Sequence, residues 1–175
     1  MRDRFGLHCR LELYTEKEIK EILKRSARIL KVEMTEDAAS ILSSRCRGTP
    51  RIANRVLRRC RDVAQVRGNG IIDKTSAEKT LEMLGIDADG LDPMDRKILS
   101  IMIDKFNGRP VGINTLGAVL NEEQNTLEEV YEPYLIQKGF LSRTPRGRMV
   151  TPAAYRKLER PFPKNQQYEQ TEMEF

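Results

Sequence analysis

Residues 116–150 read LGAVLNEEQNTLEEVYEPYLIQKGFLSRTPRGRMV, and the succession of patterns in this stretch decides the fold. Apolar residues recur at helical spacing over 116–120 and again over 126–138, with the short polar run 121–125 between them, which is helix-turn-helix spacing. Gly139 is placed to end the second helix, and 140–150 reads as two short strands around Pro145-Arg146-Gly147. Upstream, Asp92-Pro93 forms an N-cap followed by proline in the first turn. Met94, Ile98, Ile101, Met102 and Phe106 are expected on the inner face of the helix it starts, which Asn107-Gly108 stops. Three helices followed by a basic hairpin predict a winged helix over 93–160. Beyond it, 161–175 is rich in Gln, Glu and Pro and is expected to be a disordered tail.

The first half carries a different pattern. Leu7, Cys9, Leu11 and Leu13 alternate with His8, Arg10 and Glu12, the period of a half-buried strand. A strand needs partners, so 1–14 reads as the end of a sheet domain and the chain as the C-terminal part of a longer protein. Thr15 and Glu18 then form a capping box, with Ile19, Ile22, Leu23 and Leu30 on one helical face. Thr35 opens a second helix over Ala38, Ile41 and Leu42. Thr49-Pro50 opens a third, striped by Ile52, Val56, Cys60 and Val63, and Gly68-Asn69-Gly70 ends it. A fourth surrounds Ala77, Leu81 and Leu84. The expectation is a mainly α protein, with a four-helix unit over 15–84 joined to the winged helix by a linker over 85–92, whose Gly and Asp content suits a boundary.

Composition excludes several classes of function. The 175 residues hold 31 Lys plus Arg and 26 Asp plus Glu, one His, three Cys and no Trp, for a net charge of +5. No apolar run is long enough to cross a membrane, and the start has no signal-peptide core, so a cytoplasmic protein without membrane contact is expected. Cys9, Cys46 and Cys60 are widely spaced, with only His8 to complete a cluster, which argues against a zinc site, any other metal centre or a disulfide framework. One histidine leaves little room for Ser-His or Cys-His catalysis.

The excess positive charge lies in the first half, concentrated in Arg45, Arg47, Arg51, Arg55, Arg58, Arg59, Arg61 and Arg67, which only Asp62 opposes. Arginine without lysine suits bidentate anion recognition, and a solvated basic helix face is the other reading. Gly48-Thr49-Pro50-Arg51 sets an arginine in a helix's first turn, where guanidinium and helix dipole can face one anion; plain capping with an exposed arginine fits as well. No Gly-rich phosphate loop is present, nor a pair of acids closing an apolar strand, so the chain alone should hold no nucleotide with its magnesium. In the second half, Glu128, Glu129 and Glu132 make the second helix of the helix-turn-helix a poor reader of DNA, whereas Arg143, Arg146 and Arg148 suit phosphate contact. Phe140, Tyr131 and Tyr134 are expected in the core.

Four separated stretches, Arg2-Asp3-Arg4-Phe5-Gly6, Arg47-Gly48-Thr49-Pro50-Arg51-Ile52-Ala53-Asn54-Arg55, Glu132-Pro133-Tyr134-Leu135-Ile136-Gln137 and Arg143-Thr144-Pro145-Arg146-Gly147-Arg148, together resemble the RuvB family of bacterial motors that drive Holliday-junction branch migration. The resemblance extends to about residue 160. It implies an AAA+ ATPase, here the last strand of the large α/β ATPase domain, the small helical lid domain and the winged-helix head. It implies for Arg51, with Pro50, the sensor-2 contact to nucleotide phosphate in the same subunit. Arg4 would be the arginine finger offered to the neighbouring subunit's nucleotide, with Arg2 a second candidate, and Tyr14 would pack beside the nucleotide base. Arg143 and Arg148, with Arg146, would contact DNA from the wing. The intact protein would be a homohexameric, ATP- and Mg2+-dependent DNA helicase acting on the duplex arms of Holliday junctions in recombination, repair and the SOS response. RuvA, bound through the large domain, and RuvC would be its partners. The chain by itself should neither bind ATP or ADP tightly nor hydrolyse ATP. Arg109, where Gly often precedes Pro110-Val111-Gly112, and Gln124, where some members have a basic residue, depart from the family's pattern. The alternative is a winged-helix DNA-binding or protein-interaction module without ATPase activity.

Overall fold

The computed structural model describes residues 13–163 and divides into two compact units after Leu91. The strand expected over 7–13 lies almost wholly outside the described residues, as do Arg4 and most of the expected tail. In the first unit, helix α1 (Glu16–Ile29) begins at the Thr15/Glu18 capping box: the Glu18 N–H donates to the Thr15 hydroxyl, and the Thr15 N–H donates to the Glu18 carboxylate. Helix α2 (Glu36–Arg45) is capped by Thr35, and α3 (Pro50–Arg67) follows a tight turn. Helix α4 (Lys74–Met83) starts at a second reciprocal cap, between Asp73 and Ser76. Ile19, Leu23, Leu42, Leu57, Cys60 and Leu81 form the centre of one continuous apolar core. A single parallel bridge between Met34 and Ile72 fastens the α1–α2 connection to the α3–α4 connection.

The 85–92 stretch, read from the sequence as a linker, is folded up to residue 91. One Asp87 carboxylate oxygen accepts the N–H groups of Asp89 and Leu91, both at 2.9 Å, and the Leu91 side chain is completely buried. The gain from burying a leucine outweighs the freedom that Gly and Asp would otherwise give this segment. The chain then enters the second unit at the Asp92 cap of helix α5 (Pro93–Asp104), whose N3 residue, Asp95, accepts a hydrogen bond from the Asp92 N–H.

The inner face of α5 is Asp95, Ile98, Leu99, Met102 and Ile103. Against the sequence expectation, the stripe is turned by one position, so that Ile101 and Phe106 are only half-buried and Leu99 and Ile103 take the interior. Helix α6 (Ile113–Leu120) ends on Asn121 in the left-handed conformation. Helix α7 (Gln124–Thr126) then runs through a π-helical turn, Leu127–Tyr131, into α8 (Glu132–Gln137). Strands β1 (Leu141–Thr144) and β2 (Gly147–Val150) form the hairpin. A further short helix, α9 (Pro152–Lys157), was not marked by the sequence pattern. It buries Ala154 and Tyr155, and the Tyr155 ring meets Phe162 edge to face at 5.0 Å.

The Tyr155 hydroxyl is buried with no hydrogen-bond partner among the described residues. An unsatisfied buried hydroxyl costs about 1–3 kcal/mol. Tyr155→Phe should therefore raise the thermal midpoint of the second unit by a few degrees in differential scanning calorimetry, where loss of a hydrogen-bonded hydroxyl would lower it.

Candidate functional site

The turn before α3 is shaped by two consecutive left-handed residues, Arg47 (φ 55°) and Gly48 (φ 59°). Gly48 is required for a second reason: a Cβ there would lie 2.5 Å from the Tyr14 carbonyl oxygen. The same close approach makes a backbone hydrogen bond, from the Tyr14 N–H to the Gly48 carbonyl at 2.9 Å, so the segment entering α1 is tied to the start of α3. Tyr14 itself is half exposed.

Thr49 occupies the N-cap position, yet its hydroxyl does not cap the helix. It donates backwards to the Arg47 carbonyl at 3.1 Å, a bond the left-handed turn brings within reach. Pro50 contributes no N–H, and the N–H groups of Arg51 and Ile52 have no partner among the described residues. Arg51 is exposed beside them. The result is a helix start with two open donors, the positive end of an 18-residue helix and a guanidinium in the first turn, the elements of an anion-binding site. These groups are chemically suited to an anion of the phosphate kind.

Cysteine chemistry does not compete for this role in the same unit. Burial pushes the Cys46 thiol up to about 12 and the Cys60 thiol to about 11, so neither supplies a thiolate near neutral pH. Among the described residues no group of three or more His, Cys, Asp or Glu could hold a metal ion. No helix among them is long and apolar enough to cross a membrane.

In the second unit the hairpin turns on Pro145-Arg146, and its register sets Arg143 directly opposite Arg148. Like charges at paired positions destabilise a hairpin unless an anion lies beside them. Glu132, 3 % exposed, is that anion. Its carboxylate accepts from Arg143 Nε at 2.5 Å and, as a fork, from Arg148 Nε and Nη2, each at 3.1 Å; Arg148 Nη2 also donates to Glu128. Burial alone would raise the Glu132 carboxyl, but the bonds from Arg143 and Arg148 together outweigh it and hold the group below its ordinary value of 4.5.

The helix delivering Glu132 is not regular. In the π-helical turn the Glu132 N–H reaches back to the Leu127 carbonyl, five residues away. Pro133 has no N–H and its ring crowds the carbonyl four residues before it, so the ladder loosens where proline would otherwise break the helix. The sequence pattern predicts a plain helix here, and the π turn departs from it. Val111 braces the wing from its other side by exchanging two backbone bonds with Arg148, both 2.8 Å, and a Cβ on Gly147 would meet the Val111 carbonyl oxygen at 2.5 Å.

The wing arginines are thus not equivalent. Arg148, with a side chain 16 % exposed, is an internal brace, whereas Arg143 is 60 % exposed and commits only Nε. Arg146, at the tip, has no ion pair among the described residues. The acids that make the helix look hostile to DNA in sequence are in part accounted for: Glu132 is buried and Glu128 is paired, leaving Glu129 exposed. Sequence reasoning missed Glu128 and Glu132 as partners of the wing. The available signal was the like-charged pair flanking a two-residue turn, together with two acids four apart on one helix.

The structure groups Tyr14, Pro50 and Arg51 around one turn of the first unit, and Arg143, Arg146 and Arg148 on one hairpin of the second. A helical lid with an arginine at an open helix start, followed along the chain by a winged helix, is the layout of the C-terminal part of an AAA+ ATPase. Residues 14–87 match the RuvB AAA lid domain and residues 88–159 the RuvB C-terminal winged helix domain. The chain belongs to the RuvB family. It is 56 % identical over 166 residues to the Holliday junction branch migration complex subunit RuvB of Koribacter versatilis, covering 95 % of this chain and 46 % of that protein. With the RuvB of Fusobacterium nucleatum it shares 54 % identity over 160 residues, 91 % of this chain and 48 % of that one. The Thermotoga maritima RuvB Holliday junction branch migration motor superposes with a TM-score of 0.88 at 50 % identity, covering 93 % of this chain and 54 % of that chain. The chain spans about half the length of the curated relatives it matches.

Proposed function

We propose that this chain is the nucleotide-sensing lid and DNA-holding head of an ATP-driven, homohexameric motor that moves Holliday junctions, working with RuvA and RuvC in the cytoplasm. The observation that carries the reading is the open first turn of α3, where two unpartnered N–H groups and Arg51 face outward together. Hydrolysis of ATP with Mg2+ supplies the free energy. Arg51, with the donors that Pro50 leaves open, binds phosphate from the lid, and Tyr14 lies beside the base. When the bound charge leaves, the attraction on Arg51 falls and the rigid α3 carries that change into the lid. Arg4, offered to the neighbouring subunit, adds a guanidinium where charge develops on the transferring phosphoryl group. The test is ATP-dependent migration of a synthetic four-way junction by the intact protein, with Arg51→Ala expected to lose it.

On DNA, Arg143 and Arg146 present outward donors, and Arg148 holds the wing that carries them. Binding should be tolerant of sequence, with two phosphates neutralised and log affinity falling against log salt at a slope of about −2 per chain. Arg143→Ala with Arg146→Ala should flatten that slope towards zero in fluorescence anisotropy titrations. An unchanged slope, with losses appearing instead for substitutions over 126–138, would move the interface to the helix.

A further inference from the structure

Arg47 is the one buried basic side chain among the described residues, and it sits in the left-handed region, where glycine or asparagine would be less strained. A turn alone does not call for arginine there. The side chain reaches from the turn before α3 to the far end of the unit, where Nε donates to the Gly90 carbonyl at 3.0 Å. Gly90 belongs to the closed loop that Asp87 organises and stands two residues before the N-cap of α5. Three strands of chain therefore meet at one turn. Tyr14 enters through its bond to Gly48, Arg51 leaves along α3, and the exit to the winged helix is held through Arg47.

The geometry points to Arg47 as a positioning residue that couples the nucleotide-facing start of α3 to the segment leading into the winged-helix unit. The inference rests on the proposed function. Only three residues lie between Arg47 and Arg51, and Gly48 is too closely packed against Tyr14 for the turn to absorb movement locally. A displacement of the helix start is passed to Gly90 through a planar donor. Without Arg47, the Asp89 and Leu91 N–H groups still have the Asp87 carboxylate to donate to, but the bond from Nε to the Gly90 carbonyl is gone.

Arg47→Gly separates side chain from backbone, because glycine accepts a φ of 55° without strain. In the intact protein, ATP turnover and junction migration should be measured on the same preparation. Any loss of turnover is expected to be far smaller than the loss of coupling, with junctions moved per ATP falling about tenfold or more. In the 175-residue chain, amide hydrogen exchange at Asp89, Gly90 and Leu91 should accelerate about tenfold, with the core amides of α1 and α3 unchanged. Arg47→Lys keeps the charge but has no donor at the position of Nε, and it should show the same uncoupling to a smaller degree; it carries the test if the glycine variant does not fold. Equal loss of turnover and migration, no loss of migration, or unchanged exchange over 87–91 would each overturn the coupling role. If the wild-type protein neither hydrolyses ATP nor moves junctions, the proposed function fails, and the exchange result then decides only whether Arg47 holds the loop.

Discussion

In mixed rings of the intact protein, a subunit carrying Arg4→Ala should recover ATP turnover beside a catalytically dead neighbour that keeps its own Arg4, whereas an Arg51→Ala subunit should gain nothing from the same neighbour. An arginine supplied in trans to a phosphoryl transfer is worth about 10³- to 10⁵-fold in rate, so uniform Arg4→Ala rings should be nearly silent. On the proposed function Arg51 serves the nucleotide of its own subunit, so no neighbour can supply it. Its loss removes a guanidinium but leaves the two N–H donors, so nucleotide should bind more weakly and the bound subunit should still fail to turn over. Lysine at position 4 should rescue poorly, since an ammonium lacks the planar fork. Equal rescue of both variants, or no rescue of Arg4→Ala in verified mixed rings, would reverse the cis and trans assignments. Arg4 lies outside the described residues, and its role rests on the Arg2-Asp3-Arg4-Phe5-Gly6 match.

Glu132→Ala should destabilise the winged-helix unit by about 3 kcal/mol, the lower end of the range for breaking a buried ion pair, because Glu128 remains beside Arg148 and Arg143 can turn to solvent. In a unit of this size the thermal midpoint should drop by roughly 10–20 °C. Glu128→Ala, removing the more exposed partner, should cost well under half as much. The pH dependence follows from the direction of the shift. The folded carboxyl lies below 4.5, so its contribution is present in full above the ordinary value and disappears as the pH falls through the depressed one. Wild type should therefore lose stability on acidification through that range, and Glu132→Gln should lose less. Chemical denaturation at pH 7 and pH 3 measures both, and equal slopes for wild type and Glu132→Gln would show that the clamp contributes nothing.

The parts of this molecule legible in sequence are those governed by local rules. Thr15 with Glu18 and Asp92 before Pro93 each fix a helix start through neighbours within four residues, and each stands where the pattern put it, whereas α5 ends at Asp104, ahead of the Asn107-Gly108 stop. Pro145-Arg146 likewise sets the hairpin turn. What local patterns cannot report is the state of a side chain that meets residues far along the chain. Arg148 reads as a free cation beside Arg146, yet partners 16 and 20 residues away neutralise it. Thr49 reads as a cap, but the left-handed turn at Arg47 redirects its hydroxyl, and that redirection opens the helix start. The π-helical turn escaped because the period of Leu127, Tyr131, Tyr134 and Leu135 suits either helix. The tie from Arg47 to Gly90 spans 43 residues and leaves no periodic trace.

The widened turn at 127–131 also makes the length of this helix a coded quantity. Each residue of an α-helix advances the side chains by about 100°. Removing one residue from 129–131 would take away the slack that accommodates Pro133 and bring Glu128 and Glu132 from four residues apart to three, turning one carboxylate relative to the other. A single-residue deletion here would thus bring Pro133 back against the helix ladder and shift the two carboxylates relative to the hairpin arginines they meet. The segment should tolerate exchange of exposed residues such as Glu129 or Val130 far more readily than any change in the number of residues.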